Sequence, residues 1–537
     1  MAEKTLQKLP LGLNSFRKIR DLNCLYVDKT EYVYNLITGG WRYFLSRPRR
    51  FGKSLLVSTL HEVLSGNKEL FKDLWIEKSD YSWKPHGVIS ISLSIVDAQN
   101  VTSFRVGLCR ELTFIAQQYG ILLTIEQPDA QGMFVELIRA LYGKFNRVAI
   151  LVDEYDNPIL RNLDDEKNAI AIRDTLRTFF AVIKDLDALI DFVFITGVSS
   201  FARAGIFSGL NNLSVITLND EYGSILGYTN EEVDHYFGRY MQAWADKKNI
   251  SYHQLRENVK TWYNGYRFGD QVPSVYNPFS LMNALNAYNF DNFWIQSGTP
   301  SFLMKEINKE YRNEQLRIFD AENIVLDKND LSSIDIGSIP LPTLIFQTGY
   351  LTIDTYNETT KLYKLKFPNF EVKESFQKLL LNVVAQIDLI EVKSLLQSLL
   401  STLHNGDMPE MIQVLKQLFS RISYHQNTTP EFNEISKGRQ EKFYHAILQI
   451  IFDLTGVKVQ SEYATSHGRI DLVLELPQSI YIIETKLNES PESALAQIEE
   501  KRYWEPFLKY GKPIILLGIS FQRKPGKFDI TYVSKKL

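Results

Sequence analysis

Two cysteines, Cys24 and Cys109, are all that the 537 residues contain. That excludes a disulfide framework and a cysteine-based zinc site, and it suits a reducing compartment. No apolar run approaches about 18 residues, so no membrane span is expected. The first twenty residues, MAEKTLQKLPLGLNSFRKIR, hold no apolar core of signal-peptide length, and a cytoplasmic location is expected. An excess of charge is missing as well. The formal net charge of -3 argues against a uniformly basic nucleic-acid coat but leaves room for a local basic groove. Internal repeats and long low-complexity linkers are also lacking. What remains, 45% hydrophobic and 23% charged, is the composition of an ordinary soluble globular protein. The chain is too long for one core, so two to four domains are expected.

Apolar β-rich runs alternate with helical patterns over residues 41–218. The predicted strands are 41–46, 88–94, 148–153, 191–196 and 214–218, separated by amphipathic segments such as 101–119, 131–144 and 167–187. This alternation predicts an α/β fold with a parallel sheet covered on both faces. Past residue 226 the pattern turns helical, until two β-rich runs around a polar turn at 341–369 suggest a helical lid or winged-helix unit. Residues 371–430 read as a helical connecting arm. A new unit then starts at 431, with a helix at 439–455, two strands around 470–486, a helix at 490–509 and a strand at 513–519. The expected divisions are 1–225, 226–370, 371–430 and 431–537.

The stretch 44-FLSRPRRFGKSLLVSTL-60 ends like a phosphate-binding loop, in Gly52-Lys53-Ser54, but carries Arg47 where such loops begin with glycine. If a strand ends at Leu45 and a helix holds Leu55, backbone N–H groups and the helix dipole favour an anion between them. Lys53 would reach the terminal phosphates and Ser54 would bind Mg²⁺. A basic turn before a helix fits this stretch equally well, and a second motif decides. In 147-RVAILVDEYDNPIL-160 a buried strand ends in Asp153-Glu154, two acids that are costly there unless they meet a cation or hydrogen-bond donors. In loop ATPases the first acid holds Mg²⁺ and the second polarises the attacking water. Thr196 ends the next apolar strand, where a polar side chain could sense the γ-phosphate; a strand-end Thr beside a glycine turn needs no such role.

Together 25-LYVDKTEYVYNLI-37, the loop 44–60, 152-VDEYDNPI-159, 195-ITGVSSFARAGIFSGLNNL-213, 262-WYNGYRF-268 and 275-VYNPFS-280 resemble the bacterial AAA-ATPase-like proteins, over essentially the whole chain. In that family an R-P-R-R-F-G-K-S loop replaces the glycine-led one. The resemblance implies an ASCE/AAA-like P-loop ATPase domain, with Lys53 and Ser54 contacting phosphate and Mg²⁺ and with Asp153 and Glu154 as the acidic pair. Arg47, Arg49 and Arg50 would add charge beside the phosphates, with Gly52 at the turn. Arg203 and Arg267 could act as sensors or as fingers in trans, which would require a homo-oligomer; for each arginine a salt-bridged or solvated role is the plainer reading.

The second chemistry lies in 468-GRIDLVLELPQSIYIIETKL-487. Read as a hairpin turning at Pro477–Ile480 with Leu476 facing Tyr481, it puts Asp471 opposite Lys486. Glu484, two residues from Lys486, shares that face. Two carboxylates and an ammonium on one patch suit metal-assisted phosphodiester hydrolysis. Asp471, Glu484 and the Thr485 carbonyl would hold Mg²⁺ or Mn²⁺, and Lys486 would position water or offset phosphate charge. A cross-strand salt bridge on a solvated hairpin is the plainer alternative. The pattern resembles the PD-(D/E)xK nuclease superfamily, a restriction-endonuclease-like α/β fold. Glu441 matches the acid on its preceding helix, and Gln497 lies on its following helix. His445 reads as a packed core histidine; His467 could contact substrate, though a loop histidine needs no such role; and the basic tail 522–537 could touch phosphates, though such a tail is more often simply solvated.

The resulting expectation is an ATPase coupled to a metal-dependent nuclease acting on DNA rather than RNA, in a defence or mobile-element setting implied by family type. The alternative is a nucleotide-dependent switch or scaffold that binds nucleic acid with one or both sites inactive.

Overall fold

The computed structural model describes residues 6–200, 206–207, 210, 212–296, 303–307, 324–332, 336, 340–385, 389–427, 436–524 and 527–537. Contacts divide the chain into two compact units, Met1–Leu303 with Ala321–Lys373, and Met304–Asp320 with Glu374–Leu537.

In the first unit five strands form a parallel sheet: β1 (Arg42–Ser46), β2 (Gly87–Ser92), β3 (Val148–Asp153), β4 (Ile190–Gly197) and β5 (Ser214–Val215), in the order β2-β3-β4-β1-β5. β1 and β3 are buried along their whole length, as strands covered on both faces must be. Helices Val101–Gln118, Ala130–Phe145 and Glu166–Asp185 cover one face through Phe104, Phe134 and Phe179, the last two stacked at 4.4 Å. The register pairs Ser46 with Gly197 and Val152 with Ile195, so β1, β4 and β3 end level. The loop after β1 and the acids after β3 therefore meet at one sheet edge, with β4 between them. This is the ASCE order expected from the resemblance.

Beyond the sheet, helices Asn230–Lys248, Tyr252–Tyr263 and Pro278–Ala287 pack around Phe237, Trp244 and Leu281, together with Leu25 and Val27 from before β1. Helix Leu341–Gln347 leads into a hairpin of β7 (Thr352–Asn357) and β8 (Leu362–Lys366), joined by the short β6 (Val325–Leu326), as the 341–369 pattern anticipates.

The second unit carries a mixed sheet of β9 (Lys458–Thr465), β10 (Gly468–Glu475), β11 (Ile480–Leu487), β12 (Ile514–Lys524) and β13 (Lys527–Lys536) in sequential order, parallel only between β11 and β12. Helix Pro491–Glu500 makes the crossover. It lies so close to β12 that a Cβ on Gly518 would run into the Pro491 carbonyl and come within 2.8 Å of the Leu495 nitrogen. The strands β9 and β13 depart from the sequence reading. The basic tail is a ladder partner of β12, with Ile530 in the core, because its apolar residues alternate under the lysines. Residues 371–430 also differ from a bare arm. Their helices Leu389–Asn405 and Met408–Asn427 belong to this unit, where Phe419 meets Phe521 at 5.1 Å. Among the described residues no helix is long and apolar enough to cross a membrane.

Candidate functional site

β1 ends at Ser46, and after Gly52, held at φ 94°, the helix Lys53–Leu64 begins at once. A side chain would be strained at that angle, so glycine is the residue that lets the loop turn into a helix N-terminus. Beside it lies a cavity of about 740 Å³ lined by Arg49, Arg50, Gly52, Lys53, Ser54 and Glu154. The Lys53 ammonium is buried and donates to the carbonyls of Arg47 and Pro48, 2.9 Å each. Burial draws its pKa down, against the pull of Asp153, Asp156 and Glu154. The Asp153 carboxyl is raised by burial, with the Ser54 hydroxyl and Lys53 opposing that rise. Glu154 adopts a left-handed backbone, φ 51°, and accepts from Asn157 Nδ2 at 3.2 Å.

Two arginines and one threonine lie away from the phosphate site. Arg47 does not line the cavity. Arg47 is 1% exposed, and its guanidinium is bound to the backbone carbonyls of Thr217 and Tyr222, which draw the side chain into the protein. Thr196 is fully buried, and its hydroxyl donates to the Leu45 carbonyl at 2.8 Å, so it serves the sheet. Arg267 is engaged by β7, donating to the Asp354 carbonyl at 2.9 Å. Arg203 lies outside the described residues. Arg50 lies over the Phe279 ring at 4.9 Å.

Sequence reasoning missed the apolar part of the cavity lining, which includes Leu13, Leu25, Val27, Leu226, Pro278 and Met282. Of these, Leu25, Val27 and Pro278 fall in the motifs 25–37 and 275–280. Also missed was Asp156, buried and accepting from the backbone N–H and hydroxyl of Ser199 (2.7 and 2.5 Å), which ties the β3 end to the β4 end.

In the second unit β10 and β11 form the expected hairpin, but shifted by two residues. Leu474 pairs with Tyr481 and Leu472 with Ile483, and the turn closes where the Leu476 N–H donates to the Ser479 carbonyl. Asp471 therefore lies across from Glu484 rather than Lys486. Because side chains alternate with period two, the shift leaves all three on one face. Asp471 Oδ2 accepts from the Thr485 N–H and hydroxyl at 2.8 and 2.7 Å. Glu484 is 1% exposed, and neither of its oxygens has a hydrogen-bond partner. Burial first, then Asp471, pushes its carboxyl up to about 9, with Lys486 opposing.

Helix Lys437–Asp453 presents Glu441 and His445, one turn apart. The Glu441 carboxyl is raised by burial and sits in the fields of Lys486 and Asp471. His445 Nδ1 lies 3.9 Å from Asp471, and its Nε2 lies 3.0 Å from the Ser461 hydroxyl, so it is a member of the site rather than core filler. Tyr503, not foreseen, is buried there; burial first raises its hydroxyl, Gln497 opposes that rise, and Glu484 and Asp471 add to it. His467 lies 3.9 Å from Glu505. No cluster of three or more Asp, Glu, His or Cys side chains suited to a metal occurs among the described residues. A cation on Asp471 and Glu484 would thus complete its shell with backbone oxygen and water. The bare, buried Glu484 carboxyl fits such an ion.

Residues 10–207 match the family described as "Predicted AAA-ATPase", and residues 439–529 match the "PD-(D/E)XK nuclease superfamily". A protein of Azotobacter chroococcum mcd 1, described as "Uncharacterized protein in vnfD 5'region", is 36% identical over 532 residues, 96% of this chain and 97% of that one. No solved structure matches. With its loop and acids level at one sheet edge and its second acidic patch on a mixed sheet, the chain belongs to the AAA-ATPase-like family and carries a C-terminal domain of the PD-(D/E)xK nuclease superfamily.

Proposed function

We propose that this protein binds and hydrolyses ATP in its first unit and uses the nucleotide state to control a metal-dependent DNA nuclease in its second. The observation that carries the nuclease half is Glu484, a buried carboxyl with both oxygens bare, beside Asp471 and in the field of Lys486. A hairpin stabilised only by a salt bridge would have no reason to bury an unpartnered acid. The ATPase half is supported by a cavity whose lining combines Lys53 and Glu154 with apolar side chains such as Leu25, Leu226 and Met282, the mixture a nucleotide needs.

In the first site Lys53, steadied by its loop carbonyls, would reach the phosphate oxygens, and the N–H groups that open the helix would complete the cradle. Ser54 and Asp153 would hold Mg²⁺. Glu154, oriented by Asn157, would accept the proton of the attacking water. In the second site Asp471, locked by Thr485, and Glu484 would hold Mg²⁺ or Mn²⁺, with the Thr485 carbonyl as a further ligand. When bound, the cation offsets phosphate charge and acidifies a water. Lys486 would steady that water or the phosphate, while His445 and Glu441 orient the patch. A cytoplasmic setting in defence or mobile-element control accords with the family.

The test is cleavage of linear and single-stranded DNA by purified full-length protein with Mg²⁺ or Mn²⁺, with and without ATP, beside Asp471→Ala and Lys486→Ala. Cleavage lost in both variants supports the reading. Metal-dependent cleavage that persists in both, or its absence from the wild type under every condition, leaves the switch or scaffold reading in place.

A further inference from the structure

The residue that stands in for the leading loop glycine makes a set of contacts that the nucleotide reading leaves unused. From Nη1 the Arg47 guanidinium donates to the carbonyls of Ser46 (3.0 Å) and Thr217 (2.5 Å), and from Nη2 to that of Tyr222 (3.2 Å). The Phe268 ring lies 4.1 Å from Cζ. Among the described residues no carboxylate pairs with this buried cation. It is held by carbonyl dipoles and an aromatic face, an arrangement suited to a planar guanidinium and not to an ammonium.

The backbone of the same residue does the rest. Its N–H continues the β1–β4 ladder onto the Gly197 carbonyl at 3.2 Å, and its own carbonyl accepts from the Lys53 ammonium at 2.9 Å. Phe268 also packs edge-on against Phe51 at 5.3 Å, so one ring outside the cavity touches the loop near both its ends. Neither Arg47 nor Phe268 lines the cavity.

We propose that Arg47 is a positioning residue: anchored by Phe268 and the 217–222 turn, it fixes the carbonyl that holds Lys53 and so sets nucleotide affinity and turnover without touching nucleotide. This rests on the ATP-binding reading above. A loop that begins with glycine has no side chain to anchor. Here the shape of the loop is imposed from outside, by the segment that carries 262-WYNGYRF-268.

The experiment measures Mg-ATP affinity by calorimetric titration, and kcat and KM for hydrolysis, in full-length wild type, Arg47→Lys, Phe268→Leu and the double variant. Arg47→Lys keeps the charge yet is expected to weaken affinity about ten-fold and to lower kcat, since it loses the fork. Phe268→Leu is expected to move both quantities in the same direction. The double variant should cost less than the sum, because both changes release one anchor. Full rescue by lysine with Phe268→Leu at wild-type values would overturn the proposal, because Arg47 would then act through charge alone. Lower melting temperatures with unchanged affinity and kcat would overturn it too, by reducing Arg47 to a structural role. If Arg47→Lys does not fold, Phe268→Leu decides by itself: wild-type affinity and kcat in it sink the idea. Failure of the wild type to bind Mg-ATP removes the underlying reading, and is told apart because Lys53→Ala then has no effect on binding.

Discussion

Thr485 holds Asp471 from the neighbouring strand: its N–H and hydroxyl both donate to the same carboxylate oxygen, at 2.8 and 2.7 Å. Two donors on one oxygen fix the rotamer. Glu484, the next residue back along β11, has no such donors and is pushed up to about 9 by burial. One carboxylate is thus fixed in place by donors, and its neighbour is held neutral by burial until a cation pairs with it.

That asymmetry sets the behaviour of Glu484→Gln. A carboxyl whose folded pKa is about 9, against about 4.3 unfolded, weakens the fold progressively as pH rises between those values. At pH 8 the metal-free Gln variant should therefore melt higher than wild type, by about 1 kcal/mol or more in stability. It should also lose Mn²⁺ binding by calorimetric titration. In the wild type that affinity should rise with pH as the proton is displaced. A variant that melts lower at pH 8 and still binds Mn²⁺ would contradict both statements.

Lys53→Ala should abolish stabilisation by Mg-ATP in a thermal melt while leaving the nucleotide-free melting point little changed. Glu154→Gln should retain binding and lose hydrolysis by at least about 100-fold, because only the water-orienting carboxylate is removed. Retained Mg-ATP stabilisation in Lys53→Ala would place the nucleotide elsewhere.

Lys486→Ala should remove cleavage while ATP hydrolysis continues at the wild-type rate, since Lys486 and the ATP cavity lie in separate units. The complementary measurement is cleavage by Lys53→Ala. A nucleotide that controls the nuclease must bind two states with different affinity. Identical cleavage by wild type with ATP, wild type without it and Lys53→Ala would mean that the two domains are only tethered.

Glu371 offers a test of stability in the first unit. It is fully buried, accepts from the Trp294 N–H at 2.6 Å, and is pushed up to about 8, chiefly by burial. Below about pH 4.3 the carboxyl is protonated in both folded and unfolded chains. Between there and its folded value the unfolded chain alone gives up the proton, so stability falls as pH rises. Glu371→Gln should flatten this slope, and its melting temperature relative to wild type should be higher at pH 8 than at pH 5. An unchanged pH profile would rule Glu371 out as the source.

Gly518→Ala probes the crossover. The added methyl would meet the Pro491 carbonyl and the Leu495 nitrogen, both backbone, so helix Pro491–Glu500 must move. A loss of about 1–3 kcal/mol is expected from overpacking. Gly518 pairs with Glu484 across β11 and β12, so Mn²⁺ affinity should fall as well. A melt within about 1 °C of wild type, below the roughly 2–4 °C that 1 kcal/mol shifts a domain this size, would show that the helix shifts at no cost.

The sequence by itself determined the parallel sheet and pointed to both candidate sites. Near-continuous apolar runs such as Val148–Val152 have no stable place except a sheet covered on both faces, and acids at the end of such a run demand a cation or donors. It likewise determined which face Asp471, Glu484 and Lys486 share, because strand alternation survives a two-residue slip. Only the tertiary structure decided what lies opposite what. The register of the hairpin is set by the hydrogen bond that closes its turn at Leu476 and Ser479, which no periodicity reports. The strand order that levels Ser46 with Gly197 comes from crossovers over more than a hundred residues. The inward turn of Arg47 depends on carbonyls at Thr217 and Tyr222 and a ring at Phe268, all distant in sequence. Side-chain direction in a loop follows the partners that folding brings to it, and those partners are long-range.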